Sequence, residues 1–512
     1  MKNYKYIGLF LLSLGVISCD VNNDLDPILE EAAPVVQLNT NGLDFSSYVA
    51  VGASFTAGFT DNALFIKGQE NSFPNILAGK FGTDFSQPLM NDNIGGLLFG
   101  GNVIQGPRLY FNGAGPTPLQ ATPTTEVTNS VSGNLNNFGI PGAKSFHFVA
   151  EGYGNVQGVP LGLANPYFAR MASSSTATVL GDAMAQNPTF FTLSEIGGND
   201  VLGYALSGGS GVDQTGNLNP ATYGSSDITD PNVFASVFSN MVTALTSGGA
   251  KGVIANVPYI TNLAHFITVP YNPVPLDSGT AAQLNSQLLG PVIQILTALG
   301  QPDRIALLEA SSSNKLLLRD ENLVDFSAQI SGALQQAGVP AAQAQLMGSL
   351  YGQARHATSA DLFVLPLSSA IGTAQPGIPA PFNTVGVTYP LEDKWAITPE
   401  EQLAIKTATD AYNTTIAAVA SANPNVALVD FKGLLEQSAS GIAFDQYTLT
   451  TSLVTGGLVS LDGVHLTGRG YALMANKIMA AMDTKFGSNF TTATNGLAKA
   501  DDYPTNYSPA LR

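Results

Sequence analysis

The chain has one cysteine, Cys19, among 512 residues. A single thiol excludes a disulfide framework within the chain and any cysteine-based metal site. The four histidines, His147, His265, His356 and His465, are too scattered for a His-rich metal centre. Charge is also scarce. Asp, Glu, Lys and Arg make up 11% of the residues, against the ~25% usual in soluble domains. With 20 Lys and Arg against 37 Asp and Glu, the net charge is −17. Phosphate binding rests on clustered Lys and Arg, and the absence of such a cluster argues against a nucleic-acid partner. A lipid or glycan partner stays open, because those contacts rest on apolar or hydrogen-bonding surface. No repeat of fixed period stands out. Hydrophobic residues, at 45%, are ordinary in amount, so Gly, Ser, Thr, Asn and Gln must cover the surface, which suits long loops.

The first residues read as an address. A short basic segment, Met1 to Lys5, precedes the apolar run Ile7 to Val16, which is too short to span a bilayer and fits a secretory signal. Val16-Ile17-Ser18-Cys19 resembles a bacterial lipobox, in which cleavage before Cys19 leaves that residue to carry acyl chains; the plain alternative is an ordinary signal peptide. Residues 19–44 form an acidic tether, with Asp20, Asp24, Asp26, Glu30 and Glu31. It resembles the surface-export signals of Bacteroidetes-type lipoproteins. The expectation is a protein lipid-anchored to the cell envelope, at the outer membrane, with a periplasmic and a cell-surface orientation both open.

Beyond the tether, short apolar β-branched runs alternate with helical periodicity. Strands are expected at Tyr48 to Gly52, Thr189 to Leu193, Lys251 to Val257, Arg304 to Leu308 and Asn425 to Asp430. Helices are expected over 72–81, 176–186, 230–246 with Asp230 as cap, 278–299, 398–420 with a Thr398/Glu401 capping box, and 470–486. Alternation of this kind predicts an α/β fold with a mainly parallel sheet. Residues 45–486 are read as one domain. Stretches at about 82–135 and 310–390, rich in Gly and Pro, interrupt it as insertions, and residues 487–512 form a polar, frayed tail. The apolar run Leu362 to Leu367 fits either a lipid contact or a buried strand.

Four loops carry candidate chemistry. Gly52-Ala53-Ser54-Phe55-Thr56-Ala57-Gly58 presents a serine hydroxyl after a buried strand. Asn137-Phe138-Gly139-Ile140-Pro141-Gly142 is a turn in which Pro fixes φ and Gly permits a positive one. Gly197-Gly198-Asn199-Asp200 follows a second strand. Asp462-Gly463-Val464-His465 lies near the C-terminus. A serine hydrolase needs a nucleophile, a base, a group to orient the base, and oxyanion donors. Ser54, His465 and Asp462 fill the first three roles, and the N–H groups of Ser54 and Gly139 with the Asn199 amide fill the fourth. Each residue also has a plain structural role open to it: Asn199 as a helix cap, Gly139 for turn geometry, Asp462 and His465 as a surface pair. Asp200 reads as a loop-fixing residue. The other three histidines read as structural or exposed.

These four blocks, in this order, resemble the SGNH (GDSL-type) hydrolase superfamily. The resemblance covers about a third of the chain and leaves the insertions unexplained. It departs at Ala53, where the family carries Asp, removing a carboxylate that could organise the turn. It implies a three-layer, flavodoxin-like sandwich with about five strands, and a Ser54-Asp462-His465 triad. It also implies an oxyanion hole from Ser54, Gly139 and Asn199, and ester hydrolysis through an acyl-enzyme with neither cofactor nor metal. The expected function is a lipid-anchored, lipase-like serine esterase acting on carboxyl esters of lipids, acetylated glycans or aryl alcohols. The alternative is a non-catalytic surface lipoprotein that uses the scaffold to bind an outer-membrane protein or glycan.

Overall fold

Five segments pair into one sheet: β1 Tyr48–Gly52, β2 Asn137–Gly139, β3 Phe190–Ser194, β4 Lys251–Ala255 and β5 Val426–Val429. Their order is β2-β1-β3-β4-β5, and every pairing is parallel. That is the order of doubly wound, flavodoxin-like sheets. The computed structural model describes residues 34–512, so the leader, Cys19 and most of the acidic tether lie outside the described residues. Residues Leu38–Arg512 separate as one compact unit.

Burial explains the composition of these strands. Tyr48, Val49, Ala50 and Val51 are all fully buried, as expected for a parallel sheet covered on both faces. The two-residue period sorts the side chains into two cores. Val49, Val51, Phe191, Leu193 and Ile254 face one cluster, shared with α4 (Pro231–Thr246) and α5 (Pro399–Ala422). Tyr48, Ala50, Phe190, Val253 and Val429 face the other, shared with α2 (Phe73–Phe81) and α7 (Gly468–Phe486). The result is a three-layer sandwich. Three shorter helices complete the frame: α1 (Ser54–Ala57), α3 (Asn199–Leu206) and α6 (Phe431–Ser438).

The helix starts follow from their caps. Asp230 accepts the N–H groups of Asn232 and Val233, and Thr398 with Glu401 forms a capping box. The 278–299 helix is interrupted by a π turn at Asn285–Leu289. The strand expected at Arg304 to Leu308 is absent. There the Asn285 side chain takes both the N–H and the C=O of Leu308, and the Arg304 guanidinium turns inward to the carbonyls of Val324 and Gly352. The Leu308 backbone groups that a strand would use are thus taken by a side chain.

Between the sheet strands lie two long segments. Residues 82–135 hold the hairpins Leu97–Phe99/Asn102–Gln105 and Leu109–Phe111/Pro116–Pro118. Residues 269–396 enclose a third apolar cluster, which includes Leu288, Leu317, Ile330, Met347, Phe363 and Leu367. This unit is wider than the 310–390 expected from composition, because the 278–299 helices pack into it. It also settles the run Leu362 to Leu367. Leu362–Phe363 pairs with Ala396–Ile397, and Phe363, Val364 and Leu367 are core residues.

The segment after Gly487 corrects an expectation of fraying. Phe490 and Ala500 are fully buried. Arg108, also fully buried, donates to the carbonyls of Ser508 at 2.7 Å, Leu511 at 3.0 Å and Tyr507 at 3.4 Å. One guanidinium thus fastens three carbonyls of a segment that is polar in sequence. Among the described residues no helix is long and apolar enough to cross a membrane.

Arg108→Ala leaves those carbonyls unpaired, at a cost of about 3 kcal/mol. The expected result is a lower denaturation midpoint and new protease cleavage after residue 487. A segment that stays protected in the variant would show that Arg108 does not hold it.

Candidate active site

β1, β2 and β3 end level with one another. Gly52 pairs with Gly139 on one side and with Ser194 on the other. The three following loops leave the sheet side by side, at its carboxyl end and at the strand where the order reverses, where open α/β sheets place their ligands. The first loop carries Ser54, the second Gly142, the third Glu195 to Asn199.

Glu195 organises the first of these loops. Its carboxylate accepts the N–H of Phe55 at 2.5 Å, the N–H of Thr56 at 3.1 Å and the Thr56 hydroxyl. Ala53 brings no carboxylate to the turn; Glu195 brings one from the neighbouring strand end. The fit is close: a Cβ on Gly52 would lie 2.1 Å from Thr56 Oγ1 and 2.7 Å from Glu195 Oε1. Glu195 itself sits in the left-handed region, with φ 54°, a conformation uncommon outside glycine. Burial pushes its carboxyl up to about 7, against the hydrogen bonds from Thr56 and Phe55, which pull it down. The sequence does hold a signal for this residue, an acid directly after a buried strand and beside a turn that lacks one.

Asp462 and His465 form a largely enclosed pair, not an exposed surface one. Their side chains are 9% and 14% exposed, and His465 Nδ1 lies 2.8 Å from Asp462 Oδ2. The carboxylate is held from several directions. Its Oδ1 accepts the N–H groups of Val464 and His465, both at 2.9 Å, and the Ser460 hydroxyl at 3.0 Å. Its Oδ2 also accepts the Asn62 N–H at 2.8 Å. Burial pushes this carboxyl up, but the His465 charge and the hydrogen bonds outweigh it and hold the group well below the usual carboxylate range. The imidazole packs against Phe59 and Phe55, with ring centroids 4.6 and 5.7 Å away. His265, read from sequence as structural or exposed, donates from Nδ1 to the Asp462 carbonyl at 3.0 Å. His147 and His356 accept the backbone N–H groups of Lys144 and Ala306 and are structural. Asp200 fixes a loop, accepting the N–H and hydroxyl of Ser145.

The second loop changes one assignment. The Gly139 N–H is already donated to the Asn137 side chain at 2.9 Å, and a Cβ on Gly139 would lie 2.2 Å from the Ala57 nitrogen. Gly139 is a packing glycine and not an oxyanion donor. Three residues on, Pro141 and Gly142 occupy the centre of a turn closed by the Ala143 N–H on the Ile140 carbonyl, with Gly142 at φ 79°. Gly142 is exposed, and its N–H meets no acceptor among the described residues. The Ser54 N–H, at the first position of α1, is likewise free. Asn199 donates one amide N–H to the Ala143 carbonyl at 2.9 Å, which orients the amide and leaves its second N–H available.

Ser54 and Asn199 line one cavity of about 110 Å³. Val464 and Leu466, on either side of His465, line it too. Glu195 lines it as well, and the rest of the wall is largely apolar, with Leu202, Val257, Leu263, Phe431, Leu434 and Met474 prominent. Among the described residues the one group of acidic or histidine side chains close enough to share an ion is Glu321, Asp393 and Glu401, none of which lines this cavity. No family model matches the chain, and no curated protein or solved structure matches it either. The class that the fold itself defines is an α/β doubly wound sandwich with a five-stranded parallel sheet.

The Glu195 carboxyl has a pH signature. Its folded value, about 7, lies above the ordinary ~4.3 of a free glutamate. Between those values the folded protein holds a proton that the unfolded chain has released. Stability supplied by that proton is present at low pH and is lost as pH rises to about 7. In denaturant unfolding at pH 5 and pH 8, Glu195→Gln is expected to lose less stability across the interval than the unsubstituted chain. The variant should be less stable by about 1–3 kcal/mol at both, since its amide meets N–H donors. Equal pH dependence in the two proteins would contradict the assignment.

Proposed function

We propose that the chain is a serine esterase of the SGNH type, acting on carboxyl esters whose acyl group is apolar. The observation that carries this reading is the meeting of Ser54 and Asn199 in one apolar cavity whose wall also includes both neighbours of His465. The part-buried Asp462–His465 hydrogen bond supports it.

With Nδ1 donating to Asp462, the His465 Nε2 carries the free lone pair. Ser54 Oγ attacks the ester carbonyl carbon while Nε2 takes its proton. The oxygen that gains charge accepts from the Ser54 N–H, the Gly142 N–H and the second Asn199 N–H. Such donors act at full strength because they are fixed before the charge appears. Collapse of the tetrahedral intermediate expels the alcohol, which leaves with the proton from His465. Water, deprotonated by His465, then releases the acid from Ser54. Asp462 keeps the imidazole in its tautomer and stabilises the imidazolium. The acyl chain occupies the cavity walled by Leu202, Val257 and Phe431. The lipobox-like sequence at Cys19 supports an envelope location with this activity at the end of an acidic tether.

Hydrolysis of p-nitrophenyl esters of increasing acyl length tests this. Each methylene buried is worth ~0.8 kcal/mol, so kcat/KM should rise about fourfold per carbon over the first few carbons above acetyl, then level. Ser54→Ala should abolish turnover, and Asn199→Ala should lower kcat by ~10²–10³ with folding intact. Acetyl preferred over longer chains would remove the acyl pocket from the account. Near-normal turnover in Asn199→Ala would remove that residue from the oxyanion site.

A further inference from the structure

We propose that Glu321, Asp393 and Glu401 form a binding site for a hard divalent cation of the calcium class, which braces residues 269–396 against the core and against the helix that begins at Asn199. One carboxylate oxygen from each residue lies within 4.8 Å of the others. The three come from separate places in the chain. Glu321 follows the short strand Leu317–Arg319, Asp393 opens the helical turn Asp393–Trp395, and Glu401 stands in the first turn of α5.

A second observation points to a ligand. Glu401 is 5% exposed. Its Oε2 accepts the Thr398 N–H at 2.6 Å, whereas its Oε1 is buried with no hydrogen-bond partner. An orphaned, buried carboxylate oxygen within a group of three carboxylates is costly unless a cation joins them. Among the described residues neither Glu321 nor Asp393 has a side-chain ion pair. The nearby cations are engaged elsewhere: Lys394 pairs with Glu392, and Arg319, which acts on Asp393 by its charge, donates to Gln353. An all-oxygen donor set selects calcium over softer metals, and calcium tolerates irregular geometry completed by water and carbonyls.

The site is tied to Asn199 through α3. That helix runs into Gly208 and Gly209, both with positive φ. A Cβ on Gly208 would lie 2.0 Å from the Asp393 carbonyl oxygen, and one on Gly209 would lie 2.0 Å from Glu401 Oε1. A cation on these carboxylates therefore stiffens the far end of the helix whose first residue is Asn199.

The chain has one tryptophan, Trp395, two residues from Asp393, and it gives a readout independent of activity. Terbium is added to the EDTA-treated full chain and its luminescence excited through Trp395, with calcium and magnesium as competitors and thermal midpoints measured alongside. Expected are sensitised terbium emission, its displacement by calcium in preference to magnesium, and a midpoint raised by calcium. Glu321→Gln, at an exposed position, and Glu401→Gln, which keeps the capping box, should each weaken binding by about tenfold or more, as losing a charged ligand requires. Absence of both sensitised emission and a calcium-dependent midpoint would overturn the proposal, as would binding unchanged in both variants. Displacement by magnesium in preference to calcium would overturn the choice of cation.

Discussion

Beneath the turn that follows β1, one carboxylate gathers the N–H donors of Phe55 and Thr56, and the arrangement of the site is built outward from it. A serine at a strand end is useful only if its backbone stays in one conformation while charge develops beside it. Glu195 supplies that constraint from the end of β3. Its place is fixed because β1 and β3 pair in register up to Gly52 and Ser194. The same strand end leads to Asn199, so the residue that shapes the Ser54 turn and the proposed oxyanion amide belong to a single loop.

The opposite wall is built by a different route. Asp462 and His465 lie on a loop reached after the whole sheet is complete, closed by the Ser460 N–H on the His465 carbonyl. Hydrogen bonds from Asn62 and to the Asp61 carboxylate, made with Asp462 and Leu461, fasten this loop to the segment just after Ser54. The chain ends of the site are joined by these contacts, which is why candidate residues about 400 positions apart form one structure.

Much of this was legible in the sequence because reactive side chains follow buried strands, and buried strands are visible as short β-branched runs. Ser54, Asn199, Asp462 and His465 each lie just where such a run or a Gly-rich turn ends. What stayed hidden depends on partners that local pattern cannot show. The turn Ile140 to Ala143 was readable, but which N–H remains free in it is decided by the Asn137 side chain, which occupies Gly139 and leaves Gly142. Glu195 visibly follows a buried strand, but the turn it holds lies about 140 positions away in the chain. The burial of the final segment rests on Arg108, about 400 positions away. The strand expected at Arg304 to Leu308 failed because Asn285 satisfies the backbone of Leu308.

The central claim is that Ser54 is a nucleophile activated by His465. Labelling the folded chain with a fluorophosphonate and mapping the adduct by mass spectrometry tests this most directly, because the reagent reacts with an activated serine whatever the natural ester is. The account predicts one stoichiometric adduct, on Ser54, lost in His465→Ala. A folded protein that takes no label, or takes it at another serine, would contradict the account and favour a scaffold that binds without catalysis.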